Sequence, residues 1–212
     1  MSGDPSFADR LNGLLRLAGL AEIDSLLAGR FQAYLELLIR WNAKMNLTAV
    51  RDEEGILSRH FVESIACARV VPEGVRTLLD FGSGGGFPGI PIALCRPELE
   101  VTLAESQNKK AAFLMQALRT IGLSAAVHAG RAETLTTTFD CVVMRAVDDM
   151  ERAVRIASDL VAPGGWLLLM TTRGEAAGYI SAIGAGFEWR SDGSLPGGRE
   201  RVVAIGCRRN DI

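Results

Sequence analysis

Leu78-Leu79-Asp80-Phe81-Gly82-Ser83-Gly84-Gly85-Gly86-Phe87-Pro88-Gly89 reads as an apolar strand ending in an acid, a glycine-rich turn and the start of a helix. In an open α/β sheet, ligands bind beyond the carboxyl ends of the strands. Glycines at such a turn let the backbone approach the ligand without a Cβ in the way. Pro88 has the fixed φ suited to a first helical turn. The stretch therefore predicts a strand over 75–81, a ligand-binding turn and a helix opening near Pro88.

The pattern continues outward in both directions. Downstream, short apolar runs alternate with helical stretches, as in βαβ units on a parallel sheet. Strands are expected at 99–104, 125–128, 139–144 and 166–170, with helices over 108–121, stopped by Gly122, and from Met150 to Leu160, ended by Pro163-Gly164-Gly165. A Gly-interrupted helix follows. Phe187–Arg190 and Arg201–Cys207 then flank a Gly/Pro turn and predict an antiparallel hairpin at a sheet edge. Upstream, residues 1–70 read as helical: Leu11, Leu14, Leu15 and Ala18 repeat at helical spacing, as do Phe31, Tyr34, Leu35 and Leu38. Leu57, Phe61 and Ile65 follow an acidic start at 52–54. The fold class is thus α/β, a Rossmann-like sheet with an N-terminal helical extension (1–70) capping the substrate side of a ligand-binding domain (71–212).

Composition narrows the partners. The chain has 212 residues, 48% of them hydrophobic, and a formal charge of −2. That balance argues against a free-standing nucleic-acid binder but allows RNA as a substrate if basic residues share one face. Cys67, Cys95, Cys141 and Cys207 form no C-x-x-C pair, so a metal site is not expected and buried thiols are. The N-terminus shows no secretory signal, and no apolar run is long enough to cross a bilayer. A cytoplasmic location, no membrane partner and a monomer are expected.

Two ligands compete for the glycine turn. The dinucleotide pattern G-x-G-x-x-G, started at Gly82, meets Phe87 where a third glycine belongs; started at Gly84 it fits, but two residues late. S-adenosylmethionine carries cationic groups and no pyrophosphate, so an acid at Asp80 suits it better. Glu105 ends the second strand, where a carboxylate can accept both ribose hydroxyls. Ala132-Glu133, after the third strand, falls where an adenine ring is flanked in such sheets, and Arg145, at a strand's carboxyl end, faces the crevice and is a candidate orienting residue. Cofactor candidates are therefore Asp80, Gly82, Gly84, Phe87, Glu105, Ala132, Glu133 and Arg145. Substrate candidates are Lys44, Asn46, Arg59 and His60, basic or hydrogen-bonding side chains near the end of the helical extension. Trp41 either continues the Phe31–Leu38 stripe into the core or stacks on a base. Arg199, Arg201, Arg208 and Arg209 crowd the hairpin, as phosphate contacts or as a solvated strand face. A small-molecule methyltransferase and a nicotinamide-dependent oxidoreductase remain as alternatives.

Trp41-Asn42-Ala43-Lys44-Met45-Asn46-Leu47-Thr48, Arg59-His60-Phe61-Val62-Glu63-Ser64, the run from Gly82 to Pro91, Gly130-Arg131-Ala132-Glu133 and Met144-Arg145-Ala146 together resemble the glucose-inhibited division protein B family. The resemblance implies a class I methyltransferase sheet, S-adenosylmethionine as cofactor and methyl transfer to N7 of a guanine in small-subunit (16S) ribosomal RNA, free or in the subunit particle. It carries the cofactor contacts onto Gly82, Phe87, Ala132, Glu133 and Arg145. Glu105 and Glu63 stand where the family commonly has Asp, and Thr172-Arg173-Gly174 replaces a Lys-Gly pair. Guanine N7 has a lone pair and no proton to lose, so no catalytic base is expected and alignment is the main task.

Overall fold

The computed structural model describes residues 5–198 and 200–210. Helix α1 (Phe7–Leu17) opens on a capping box between Ser6 and Asp9, and α2 (Ser25–Asn42) on the Asp24 side chain, which accepts from the Leu27 amide at 2.7 Å. Asp52 caps α3 (Glu53–Ile56), which runs on through a π-helical turn (Leu57–Val62) into α4 (Glu63–Val70). The acidic start and apolar stripe are as expected there; the π turn is not visible in the spacing.

The sheet follows: β1 (Thr77–Phe81), α5 (Gly89–Cys95), β2 (Glu100–Glu105), α6 (Asn108–Ile121), β3 (Ala126–Ala129), β4 (Phe139–Arg145), α7 (Met150–Asp159), β5 (Val161–Thr172), α8 (Arg173–Ile183), β6 (Phe187–Ser194) and β7 (Arg201–Arg208). Strand order is β3-β2-β1-β4-β5-β7-β6. Strands β1 to β5 pair in parallel; β7 is antiparallel to both β5 and β6, so the expected hairpin closes one edge. Gly122 ends α6 in the left-handed region at φ 61°, as its position suggests.

Two boundaries differ from expectation. Pro163-Gly164-Gly165 does not end α7, which stops at Asp159; it lies inside β5. The β4–β5 register shifts between Phe139 and Cys141, and a Cβ on Gly165 would lie 2.9 Å from the carbonyls of Ala162 and Asp140. The prolines and glycines there build a bulge rather than a helix stop. Pro88 sits just outside α5 rather than in its first turn.

Apolar side chains form two layers. On one face α5 and α6 join all the N-terminal helices in a single core that includes Leu11, Phe31, Tyr34, Phe61, Phe87 and Phe113. On the other, α7 and α8 cover Leu79, Val142, Leu167 and Leu169. The N-terminal helices therefore complete the sheet's own core. They bring residues 42–63 up to the carboxyl end of β1, where the glycine turn lies.

Candidate functional site

A cavity of about 450 Å³ opens at the carboxyl ends of β1, β2 and β4, within the range of small-molecule sites. Its floor is the glycine turn. Gly82 is at φ 73°, Gly84 at 55° and Gly86 at 91°, conformations that a side chain would strain. A Cβ on Gly86 would come 2.6 Å from Tyr34 Oη, because α2 packs directly beneath the turn and Tyr34 Oη donates to the Gly85 carbonyl. A Cβ on Gly89 would come 2.5 Å from Asp80 Oδ2.

Glu105 forms one wall. It is 6% exposed; Oε2 accepts from the Gly84 amide at 2.9 Å and Oε1 from the Gln107 amide at 2.7 Å. Each oxygen keeps a lone pair, so the carboxylate is already oriented and can still take two ligand hydroxyls. Gly82, Gly84, Phe87, Ala132, Glu133 and Arg145 line the same cavity. Ala132 is buried beside Ala153 and Ile156, an apolar strip suited to a flat ring. Glu133 stands at the rim, 3.7 Å from both Arg131 and Arg152.

Asp80 is placed differently from the sequence reading. It is fully buried and does not line the cavity; its Oδ2 accepts from the Gly89 amide at 3.0 Å, beneath the turn. Burial pushes its carboxyl up to about 7, against the opposing pull of the nearby Ser83 hydroxyl and the Gly89 amide. Its role here is to tie β1 to the start of α5. Of the two strand-end acids, Glu105 is the one that lines the cavity.

Of the substrate candidates, His60 alone lines the cavity. Its ring stacks on Phe87 at 4.7 Å and its Nε2 lies 2.6 Å from Thr48 Oγ1. Burial, then the Arg145, Arg59 and Arg201 charges, push it down to about 3, so the imidazole is neutral at neutral pH. Arg59 and Lys44 are exposed outside the cavity, and Asn46 accepts from Arg51 Nη2 at 2.6 Å. Trp41 belongs to the core, edge-on to Phe113 at 5.6 Å. Its neighbour Asn42 is the working residue of that stretch: its buried Oδ1 takes the amides of Leu47 and Thr48 at 2.9 and 3.1 Å. Arg208 donates to the Val161 carbonyl at 2.6 Å, Arg209 is exposed, and Arg199 lies outside the described residues.

Beyond Ala146, the last residue of the Met144-Arg145-Ala146 match, sequence reading does not single out the loop after β4. Ala146 (φ 47°) and Asp149 (φ 51°) hold left-handed backbone without being glycine, and Val147 lies against Gly82. Strain of this kind persists where a site requires it. The signal available was position: the loop follows a strand's carboxyl end, as Arg145 does. Among the described residues no His, Cys, Asp and Glu group has metal-binding geometry, and the cysteines are free, with burial raising Cys67 and Cys95 to about 12.

Comparison with known proteins agrees with this geometry. A methyltransferase from Pyrococcus furiosus superposes with TM-score 0.62 at 14% identity, covering 86% of this chain and 99% of that one. A SAM-dependent methyltransferase from Aquifex aeolicus gives 0.58 at 13% identity, covering 74% and 94%. These likenesses concern the fold. In sequence, "Ribosomal RNA small subunit methyltransferase G" of Xanthomonas oryzae is 43% identical over 151 residues, 70% of each chain, and that of Stenotrophomonas maltophilia is 44% identical over 157, covering 72% of this chain and 73% of the other. The family described as "GidB: rRNA small subunit methyltransferase G" matches residues 28–178. That span runs from α2 through the glycine turn, Glu105 and Arg145 into α8, so the chain belongs to the GidB family and is a methyltransferase.

Proposed function

We propose that this enzyme methylates N7 of one guanine in small-subunit (16S) ribosomal RNA. The methyl donor is S-adenosylmethionine, which supplies an electrophilic methyl group on a sulfonium. The observation that carries the reading is the joint presence of a glycine-turn cavity walled by Glu105 and a helical segment that brings His60 into its lining and the Arg59 carbonyl onto Arg145.

The residues fit the cofactor. Glu105 is oriented for the ribose hydroxyls, Ala132 and Glu133 for the adenine side, and Gly82 and Gly84 leave room over the turn. Phe87, held against His60, Tyr34 and Phe61, fixes the wall near the cap. Residues 1–70 act as a substrate-side cap on the methyltransferase domain formed by 71–212. The N7 lone pair attacks directly, so the chain need remove no proton; its work is to align nucleophile and methyl and to exclude water. A neutral His60 suits this task, because the guanine becomes cationic as it is methylated and an imidazolium beside it would oppose that change. Arg145, anchored on Glu63, orients what lies at the inner wall.

Exposed large apolar side chains, Leu17, Leu26, Ile39 and Met115, are spread over three helices, which supports a monomer. No described helix is long and apolar enough to cross a membrane, and an RNA substrate of this class puts the work in the cytoplasm. The test is a map of guanine-N7 methylation in ribosomal RNA from cells with and without the gene. One N7-methylguanosine in small-subunit RNA should vanish on deletion and return on complementation; an unchanged map refutes the proposal.

A further inference from the structure

A knot of charge lies at the inner edge of the cavity. Glu63 is 1% exposed, and its Oε2 takes Arg201 Nη2 at 2.9 Å and stands 3.2 Å from Arg145 Nη2. Arg145 Nη2 also donates to the Arg59 carbonyl at 2.9 Å. Burial, and after it the charges of Arg201 and Arg59, lower the basicity of both Arg145 and His60. Two guanidiniums, those of Arg145 and Arg201, thus share one bound carboxylate, and the charge of the exposed Arg59 is felt beside them. Two further acids that feel these charges, Glu175 and Asp80, are engaged elsewhere. Glu175 takes the hydroxyls of Thr171 and Thr172 at the start of α8, and Asp80 lies beneath the glycine turn on the Gly89 amide.

Donors are left over. Arg145 Nη1 and Arg201 Nε are buried without a hydrogen-bond partner, as is the His60 Nδ1 ring nitrogen beside them. An unbalanced buried cation is costly, and a guanidinium with unspent N–H groups is best completed by an oxyanion. Of the three arginines Arg145 lines the cavity, whereas Arg59 is exposed and the Arg201 side chain is 24% exposed. The cluster therefore continues outward past the cavity, where a polymer reaches and a small cofactor does not.

We infer that Arg145 and Arg201, gathered on Glu63, form with the neighbouring exposed Arg59 an oxyanion subsite that takes a backbone phosphate of the RNA beside the target nucleotide. This rests on the ribosomal RNA reading above. Arg59 comes from the helical cap, Arg145 from β4 and Arg201 from the C-terminal hairpin, so one phosphate would be gripped by three parts of the chain. A phosphate contact carries no base information but sets register, and here it would hold the strand so that one base can enter the cavity.

The test replaces the phosphates flanking the target guanine, one at a time, by uncharged methylphosphonates in small-subunit RNA. The unmodified protein must first methylate the natural RNA at guanine N7; if it does not, the parent reading fails and this inference falls with it. With that in hand, one linkage should lower kcat/KM by roughly 10- to 100-fold, the loss of a charge-assisted contact. Arg201→Gln should lower kcat/KM on natural RNA similarly, add no further loss at that linkage, and reduce the salt slope of RNA binding by about one. Its affinity for S-adenosylmethionine, by calorimetry, should be unchanged. Insensitivity of every linkage, or additive losses, would overturn the inference. So would weaker cofactor binding with the salt slope intact, which would assign the cluster to the cofactor's carboxylate. If Arg201→Gln does not fold, the linkage scan on the unmodified protein decides alone.

Discussion

Glu105 and Asp80 show how two acids at strand ends acquire opposite tasks. Glu105 faces the cavity with both oxygens aligned by backbone amides. Glu105→Ala should weaken binding of S-adenosylmethionine and of its demethylated product by about 1.5–3 kcal/mol, read by calorimetry; unchanged affinity would remove it from the site. Asp80 is instead sealed beneath the turn with Oδ1 unpartnered and its carboxyl raised from 3.8 to about 7. The folded state holds that proton more tightly than the unfolded chain, so the stabilisation is complete below the unfolded value and is lost as pH rises through about 7. Each pH unit between the two values costs about 1.4 kcal/mol. Asp80→Asn keeps the acceptor for Gly89 without the charge, so its stability in urea should change less between pH 4.5 and pH 8 than the parent's; parallel curves would contradict this. Position in the sequence distinguishes neither acid. Both end a strand, and what separates them is which way the side chain leaves the pleat, a property of the packed sheet.

Whole elements were more legible than the groups they carry. The 3.6-residue repeat of Phe31, Tyr34, Leu35 and Leu38 marks α2, and Gly122 marks the end of α6, because periodicity and a left-handed stop are local properties. The π turn at Leu57–Val62 is not legible: it shifts the helical hydrogen bonds by one residue inside a run whose apolar spacing stays helical, and the Arg59 carbonyl within it accepts from Arg145. Pro163-Gly164-Gly165 misled because breakers read alike whether they end a helix or bulge a strand. The contact between α2 and the glycine turn was hidden too, since Tyr34 and Gly85 are far apart in the chain. Tyr34→Phe would leave the Gly85 carbonyl without its donor at a buried site, costing about 1–3 kcal/mol in denaturant unfolding. Because that carbonyl belongs to the turn, cofactor affinity should fall as well. A loss of stability with no change in affinity would show that the turn holds its shape without α2.

For the molecule as a whole, no boundary in packing falls near residue 70. The apolar faces of α1 and α2 share one core with α5, α6 and β2. A fragment of residues 71–212 should therefore expose Phe87, Ile90 and Phe113 and fail to show a cooperative thermal transition; a sharp transition would establish an independent domain. Substrate choice is also a property of the whole. With a mildly acidic chain, long-range attraction to RNA is modest, and recognition rests on a local surface. Single-turnover rates should be high on folded or protein-bound small-subunit RNA and low on a short guanine-containing oligonucleotide. Changing Lys44 and Arg59 together to Ala should lower RNA methylation while sparing cofactor affinity; equal rates on all substrates would leave the cap a packing element only. The shared core also has a consequence in time. Trp41 and Tyr34 rest on Phe113, which the ribosome adds some seventy to eighty positions later. At translation rates of about 5–20 residues per second, the apolar stripe of α2 waits several seconds for its partner. During that interval the newborn chain carries an uncovered greasy helix, and its yield in the cell should depend on chaperone supply more than its finished stability suggests.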